Sequence, residues 1–177
     1  MAKYIITGAV HSGKTTYAYE LMNSLKSEGL SIGGFLSKGY FKDNLRDSFE
    51  TEFLSSGKKM NLANRSSDSD NPNYFGEYIF NPECFNLALE EIKTSIESNK
   101  DIIFMDEIGR FEIINGGFRE SLDYIKDKEI NGDLFLVTRD KFINSINETF
   151  LNNEAIIIDI SKPINESVNL IKANIKK

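Results

Sequence analysis

Gly8, Gly13, Lys14 and Thr15 stand at the spacing G-x-x-x-x-G-K-[ST] within the stretch GAVHSGKTT, a combination suited to wrapping backbone around phosphate oxygens. The glycines let the chain bend, so that successive N–H groups and the positive end of the following helix face the anion. Gly8, Ala9, Val10, His11, Ser12, Gly13, Lys14, Thr15 and Thr16 are the expected contacts to a nucleotide. Among them, Lys14 would bridge the β- and γ-phosphates, Thr15 would ligate Mg²⁺ and Thr16 would face the α-phosphate. His11 is the only histidine; it occupies a variable position of the loop and is expected to be passive.

A phosphate loop needs an acid on a neighbouring strand to complete the magnesium shell, and IIFMDE supplies Asp106 where an apolar run ends. Glu107 follows it. A second carboxylate at that place can accept a hydrogen bond from a water and orient it for attack. Lys14 and Glu107 are therefore the candidate catalytic residues, and Thr15 and Asp106 the candidate metal ligands. Negative charge on a transferring phosphoryl group calls for a further cation. Arg46, Arg110, Arg119 and Arg139 are the candidates; Arg110 lies nearest in sequence to the acidic pair, which makes it the third candidate catalytic residue beside Lys14 and Glu107. Hydrolysis, transfer to a small acceptor, in which the loop from Gly57 to Asn73 would close over it, and a nucleotide-driven switch all remain open on these residues.

Positioning that pair of sites requires strands and helices in alternation. Lys3 to Thr7 is a β-branched run ending at Gly8, followed by helical spacing at Ala18, Leu21, Met22 and Leu25. Ser31 to Ser37 reads as a second strand. Asp47 to Ser55 alternates apolar and polar as a half-buried antiparallel strand does, and Tyr74 to Phe80 could pair near it. The polar stretch from Gly57 to Asn73 between them reads as an exposed loop. After Asn81 and Pro82, which cap a helix, come strands at Ile102 to Met105, Leu134 to Val137 and Ala155 to Ile160. Helices carrying Phe118, Ile146 and Val168 separate and follow them, with Ile175 among the inward residues of the last. The pattern predicts a three-layer α/β fold, with a mostly parallel central sheet and an antiparallel insertion in the region of residues 40–80.

With 177 residues and 40% hydrophobic residues, the chain suits one globular domain, residues 1–177. A net charge of −6 offers no general attraction for nucleic acid, so none is expected as a partner. No apolar run is long enough for a membrane span, and the start MAKYIITG lacks the basic and longer apolar regions of a signal peptide, so none is expected. The single cysteine, Cys84, excludes an intrachain disulfide and suits a reducing compartment, so a cytoplasmic location is expected.

Taken together, GAVHSGKTT, GGFLSK, YFGEYIFNPECFNLAL and IIFMDEIGRFEI resemble the THEP-type nucleoside-triphosphatase family. DEIGRFE, Asp106 to Glu112, is the most specific element, and Gly76 and Tyr78 also match. The resemblance implies a P-loop, RecA-like domain that hydrolyses nucleoside triphosphates such as ATP and GTP slowly, with Mg²⁺ and little preference for the base. Glu112 would be structural. The chain departs from the family twice. Gly39 and Phe41 stand where the pattern G-F-x-T-x-E-V-R has its acid and arginine, and IDISKPINES lacks an asparagine-arginine pair. No protein partner is identifiable from these residues.

Overall fold

The computed structural model describes residues 1–9, 12–128 and 130–174. Val10, His11 and Ile175 lie outside the described residues. The first strand, β1 (Lys3–Gly8), leads into α1 (Lys14–Ser27), then β2 (Ile32–Lys42), β3 (Leu45–Phe53), β4 (Lys59–Arg65), β5 (Tyr74–Phe75) and β6 (Tyr78–Phe80). Helix α2 (Pro82–Glu97) is followed by β7 (Ile102–Met105), α3 (Arg110–Ile113), α4 (Arg119–Asp127) and β8 (Asp133–Arg139). A 3₁₀ turn (Asp140–Phe142), α5 (Ile143–Leu151), β9 (Ile156–Asp159) and α6 (Ile164–Asn174) complete the order.

All nine strands share one sheet, ordered β5-β6-β4-β3-β2-β7-β8-β1-β9. From β2 to β9 every pairing is parallel. At its centre β7 is buried throughout, as is the LFLV run of β8, which is why both read as unbroken apolar runs. In β1, Tyr4 and Ile6 point to one core with Tyr17, Leu21 and Leu25 of α1 and Ile171 of α6. Ile5 points to the other, with Ala88 and Ile92 of α2, Leu122 of α4 and Ile146 of α5. The contact between β2 and β7 depends on Gly34, which has φ +86° and no room for a side chain, because a Cβ there would collide with the Phe104 backbone.

The pairings from β2 to β5 are antiparallel. A two-residue turn, Asp43 and Asn44 with φ of 50° and 61°, joins β2 to β3. The stretch from Gly57 to Asn73 is not wholly a loop: Lys59–Arg65 pairs with β3 and β6 as β4. Its pattern hides this because only Leu62 and Ala63, adjacent residues, are buried. A register shift opposite Phe49 and Glu50 breaks the period-two alternation there.

Candidate active site

Parallel strands put their carboxyl ends on one edge, and the register of β1, β8, β7 and β2 brings Gly8 level with Arg139, and Met105 level with both Leu136 and Phe35. The loop after β1 and the acids after β7 therefore open into one cleft, with β8 between their strands. Helix α1 begins behind Gly13, at φ 89°, with no side-chain cap and no acid in its first turn. Its first N–H groups are left for a ligand to satisfy.

Thr15 Oγ1 donates to Asp106 Oδ2 at 2.8 Å, and the Ser37 N–H donates to the same oxygen at 3.1 Å. The other oxygen of Asp106 accepts from the Glu107 N–H at 2.7 Å. Burial, and then the neighbouring Glu107 charge, push the Asp106 carboxyl well above the usual carboxylate range, while these donors pull it back. A divalent cation beside it would satisfy the charge that burial penalises. Oxygen donors from one carboxylate and one hydroxyl suit Mg²⁺, which keeps waters and phosphate oxygens as its remaining ligands. Among the described residues, no group of three or more His, Cys, Asp or Glu side chains could hold a metal without such help.

Lys14 Nζ donates to the carbonyls of Gly8 at 3.0 Å and Ala9 at 2.7 Å, and Ser12 Oγ donates to Ala9 O at 2.6 Å. Burial lowers the Lys14 pKa, opposed chiefly by the Glu107 charge. Thr16 lies exposed on the cleft wall.

Glu107 has φ +58°, a left-handed conformation uncommon for glutamate. Its side chain turns into the cleft, where Arg46 Nη1 stands 3.6 Å from Oε1. Burial raises the Glu107 pKa, and Arg46, Arg139 and Lys14 act in the opposite direction. Arg46 comes from β3 and pairs across the hairpin with Phe41. Its guanidinium lies 5.2 Å from the Phe41 ring centre and 5.1 Å from that of Phe49, and among the described residues its buried Nε has no hydrogen-bond partner. Gly39 makes the space: a Cβ there would sit 2.7 Å from Arg46 Nε.

The other arginines are placed differently. Arg110 opens α3 on the exposed side of the cleft, and Arg139 ends β8 on its wall. Arg119 is engaged elsewhere, with Asp123 at 2.8 Å and with Asn115. Arg46 is thus the arginine set against the acidic pair. Its signal in the sequence was the Asp43-Asn44 turn, which fixes Arg46 opposite Phe41 once β2 is extended to Lys42.

Glu112 is buried and accepts from the Gly109 N–H at 2.7 Å and the Phe118 N–H at 3.0 Å, pinning the segment after Glu107. Burial pushes its carboxyl up to about 7. An acid whose pKa rises on folding binds more protons in the native state, so stability falls as pH climbs from the ordinary glutamate range through 7. The native protein is expected to lose a few kcal/mol, on the order of 2–3, between pH 5 and pH 8 from this group. Urea unfolding of Glu112→Gln at the two pH values should show a distinctly smaller loss; an equal loss would reject the assignment.

The cleft has a volume of about 1310 Å³ and runs from Ser12–Thr16 past Asp106 and Glu107 to a group of aromatic rings. Among the described residues no helix is long and apolar enough to cross a membrane.

The sequence profile described as NTPase matches residues 3–148. Nucleoside-triphosphatase THEP1 of Thermotoga sp. is 30% identical over 97% of each chain. The protein of the same name from Archaeoglobus fulgidus is 28% identical over 84% of this chain and 86% of its own. The solution structure of a human cancer-related nucleoside triphosphatase superposes with a TM-score of 0.72, covering 99% of this chain and 100% of that one at 20% identity.

Proposed function

The chain belongs to the nucleoside-triphosphatase family, and from that premise we propose that it hydrolyses ATP, GTP and other nucleoside triphosphates to diphosphate and phosphate, with Mg²⁺ and with little discrimination between bases. The observation that carries this reading is the 2.8 Å contact between Thr15 and Asp106, with Glu107 beside it. One continuous sheet supports residues 1–177 acting as one domain.

In the proposed reaction the phosphate tail lies along residues 8–16, with Lys14 leaving the Gly8 and Ala9 carbonyls for the β- and γ-phosphates. Thr15 and Asp106 would hold Mg²⁺, which supplies charge neutralisation on the phosphate oxygens when bound. Glu107, whose charge Arg46, Arg139 and Lys14 favour against the effect of burial, accepts a hydrogen bond from the attacking water. The water oxygen bonds to the γ-phosphorus as its proton passes to Glu107, the bond to the bridging oxygen breaks, and the diphosphate departs with the electron pair. Arg46 moves from Glu107 to the γ-phosphoryl oxygens as their charge grows. Because these contacts all concern phosphate, they recognise every triphosphate alike. The absence of the asparagine-arginine pair from IDISKPINES supports the same breadth.

Phosphate release from ATP, GTP, CTP and UTP tests the reading. Values of kcat/KM within about tenfold of one another are expected, and chelation of Mg²⁺ should abolish release. No release above that of Lys14→Ala would end the proposal. For Arg46→Ala, kcat should fall about 10- to 100-fold with a smaller change in KM, the pattern of a contact made in the transition state. Arg46→Lys should recover part of the loss. An unchanged kcat in both variants would remove Arg46 from the mechanism.

A further inference from the structure

The cleft exceeds what a phosphate tail fills: pockets for whole drug-sized molecules are roughly 300–1,000 Å³, against about 1310 Å³ here. Its end away from Lys14 is walled by rings. Phe75, Tyr78, Phe80, Phe85 and Phe111 all line it, and each is only half-buried, with surface left on the cleft side. Phe75 stacks on Phe111 at 4.3 Å and 9°, and Phe80 lies 5.1 Å from Phe111.

The rim adds a second observation. Phe41 and Leu45, at the tip of the β2–β3 hairpin, overhang the cleft while 56% and 55% exposed, the most exposed large hydrophobic side chains among the described residues. Apolar surface gathered around an opening, rather than scattered, marks a place that a ligand covers.

A run of contacts ties this end to the acids. Arg46 lies 3.6 Å from Glu107 and over Phe49, whose ring is 5.2 Å from Tyr78, which in turn is 6.4 Å from Phe80. With Lys14 and Thr15 holding the leaving diphosphate, a nucleophile must approach the γ-phosphorus from the opposite side. Glu107 lines the same cleft as the loop and the rings, within electrostatic reach of Lys14 and beside Arg46, so a nucleophile held in the cleft can meet it.

We infer that the ring-lined end is a second substrate site, taking a small alcohol with a flat aromatic ring, and that this alcohol replaces water as the acceptor of the γ-phosphoryl group. The ring packs against the cleft-facing surface of the cluster formed by Phe80, Phe85 and Phe111, and the hydroxyl reaches Glu107. The hydroxyl oxygen bonds to the γ-phosphorus as the bond to the bridging oxygen breaks. The nucleoside diphosphate leaves with that electron pair, the hydroxyl proton passes to Glu107, and a phosphate monoester is formed. Hydrolysis is then what the site performs when water fills the ring-lined end. The inference rests on the phosphate end being a triphosphate site.

The test uses the full chain with Mg-ATP and three probes: benzyl alcohol, 3-pyridinemethanol and uridine. ³¹P NMR separates inorganic phosphate from a phosphate monoester, and saturation transfer to the probes' ring protons reports binding to protein loaded with a non-hydrolysable ATP analogue. Monoester is expected from at least one probe, together with saturation transfer to it. Phe111→Ala should lower the ratio of monoester to inorganic phosphate about fivefold or more. Phe41→Ala, on the exposed rim, should lower it in the same direction and guards against a packing defect in the first variant. Inorganic phosphate without monoester from any probe would overturn the inference and leave the hydrolysis reading intact. So would a ratio that neither variant changes. Neither product at all would instead overturn the triphosphate reading.

Discussion

Glu107→Gln is expected to bind Mg-ATP at least as tightly as the parent while losing about 10²- to 10³-fold in turnover. The substitution keeps the shape of the side chain and removes its charge. Lys14, Arg46 and Arg139 all act electrostatically on Glu107, so neutralising it makes the cleft more attractive to a polyphosphate. The amide remains able to touch a water, but it is a far weaker acceptor than a carboxylate, so the water loses its orientation and the proton its destination. Glutamine and glutamate are equally strained at φ +58°, so folding should not confuse the result. Calorimetric titration with a non-hydrolysable ATP analogue, beside phosphate release under saturating ATP, separates the two effects. A variant that keeps more than about a tenth of the parent turnover would contradict the role.

Lys14→Ala should fail differently, losing binding and turnover together. The ammonium group is the flexible cation of the phosphate loop, and it already reaches back to the Gly8 and Ala9 carbonyls. Its removal takes away a contact to phosphate in both the ground state and the transition state. A fall in kcat/KM of about 10³-fold is expected, with a weakening of nucleotide binding of about 10-fold or more. Lys14→Arg should not restore it, because a planar fork cannot enter the space of a compact ammonium. Thermal unfolding should move little, since residue 14 is at the rim of the core. Full activity in Lys14→Ala would place the reaction outside this cleft.

The features legible in the sequence are those that local physics writes into adjacent residues. A loop that bends around phosphate needs its glycines and lysine at fixed spacing, and a strand buried on both faces must be apolar throughout. Thr15 and Asp106 could be paired from such signals, although they lie 91 positions apart. Strand β4 was hidden because its two buried residues are neighbours and a register shift spoils the alternation. Arg46 was only one of four candidate cations, because its place depends on a pairing across β2 and β3 that extends the first strand beyond its apolar part. Proximity along the chain favours Arg110 instead. In space, Arg46 is the one set against Glu107.

Gly39, Phe41 and Arg46 have a consequence for how this protein can change over generations. The guanidinium fills the room a side chain at residue 39 would need, and the ring at residue 41 faces it. A glutamate at 39 or an arginine at 41, as in the pattern this chain resembles, would each meet a neighbour shaped for its absence. The three positions therefore form one inherited character spread over two strands. A side chain introduced at residue 39 would oblige Arg46 to move, so the two strands are tied to change together at this point.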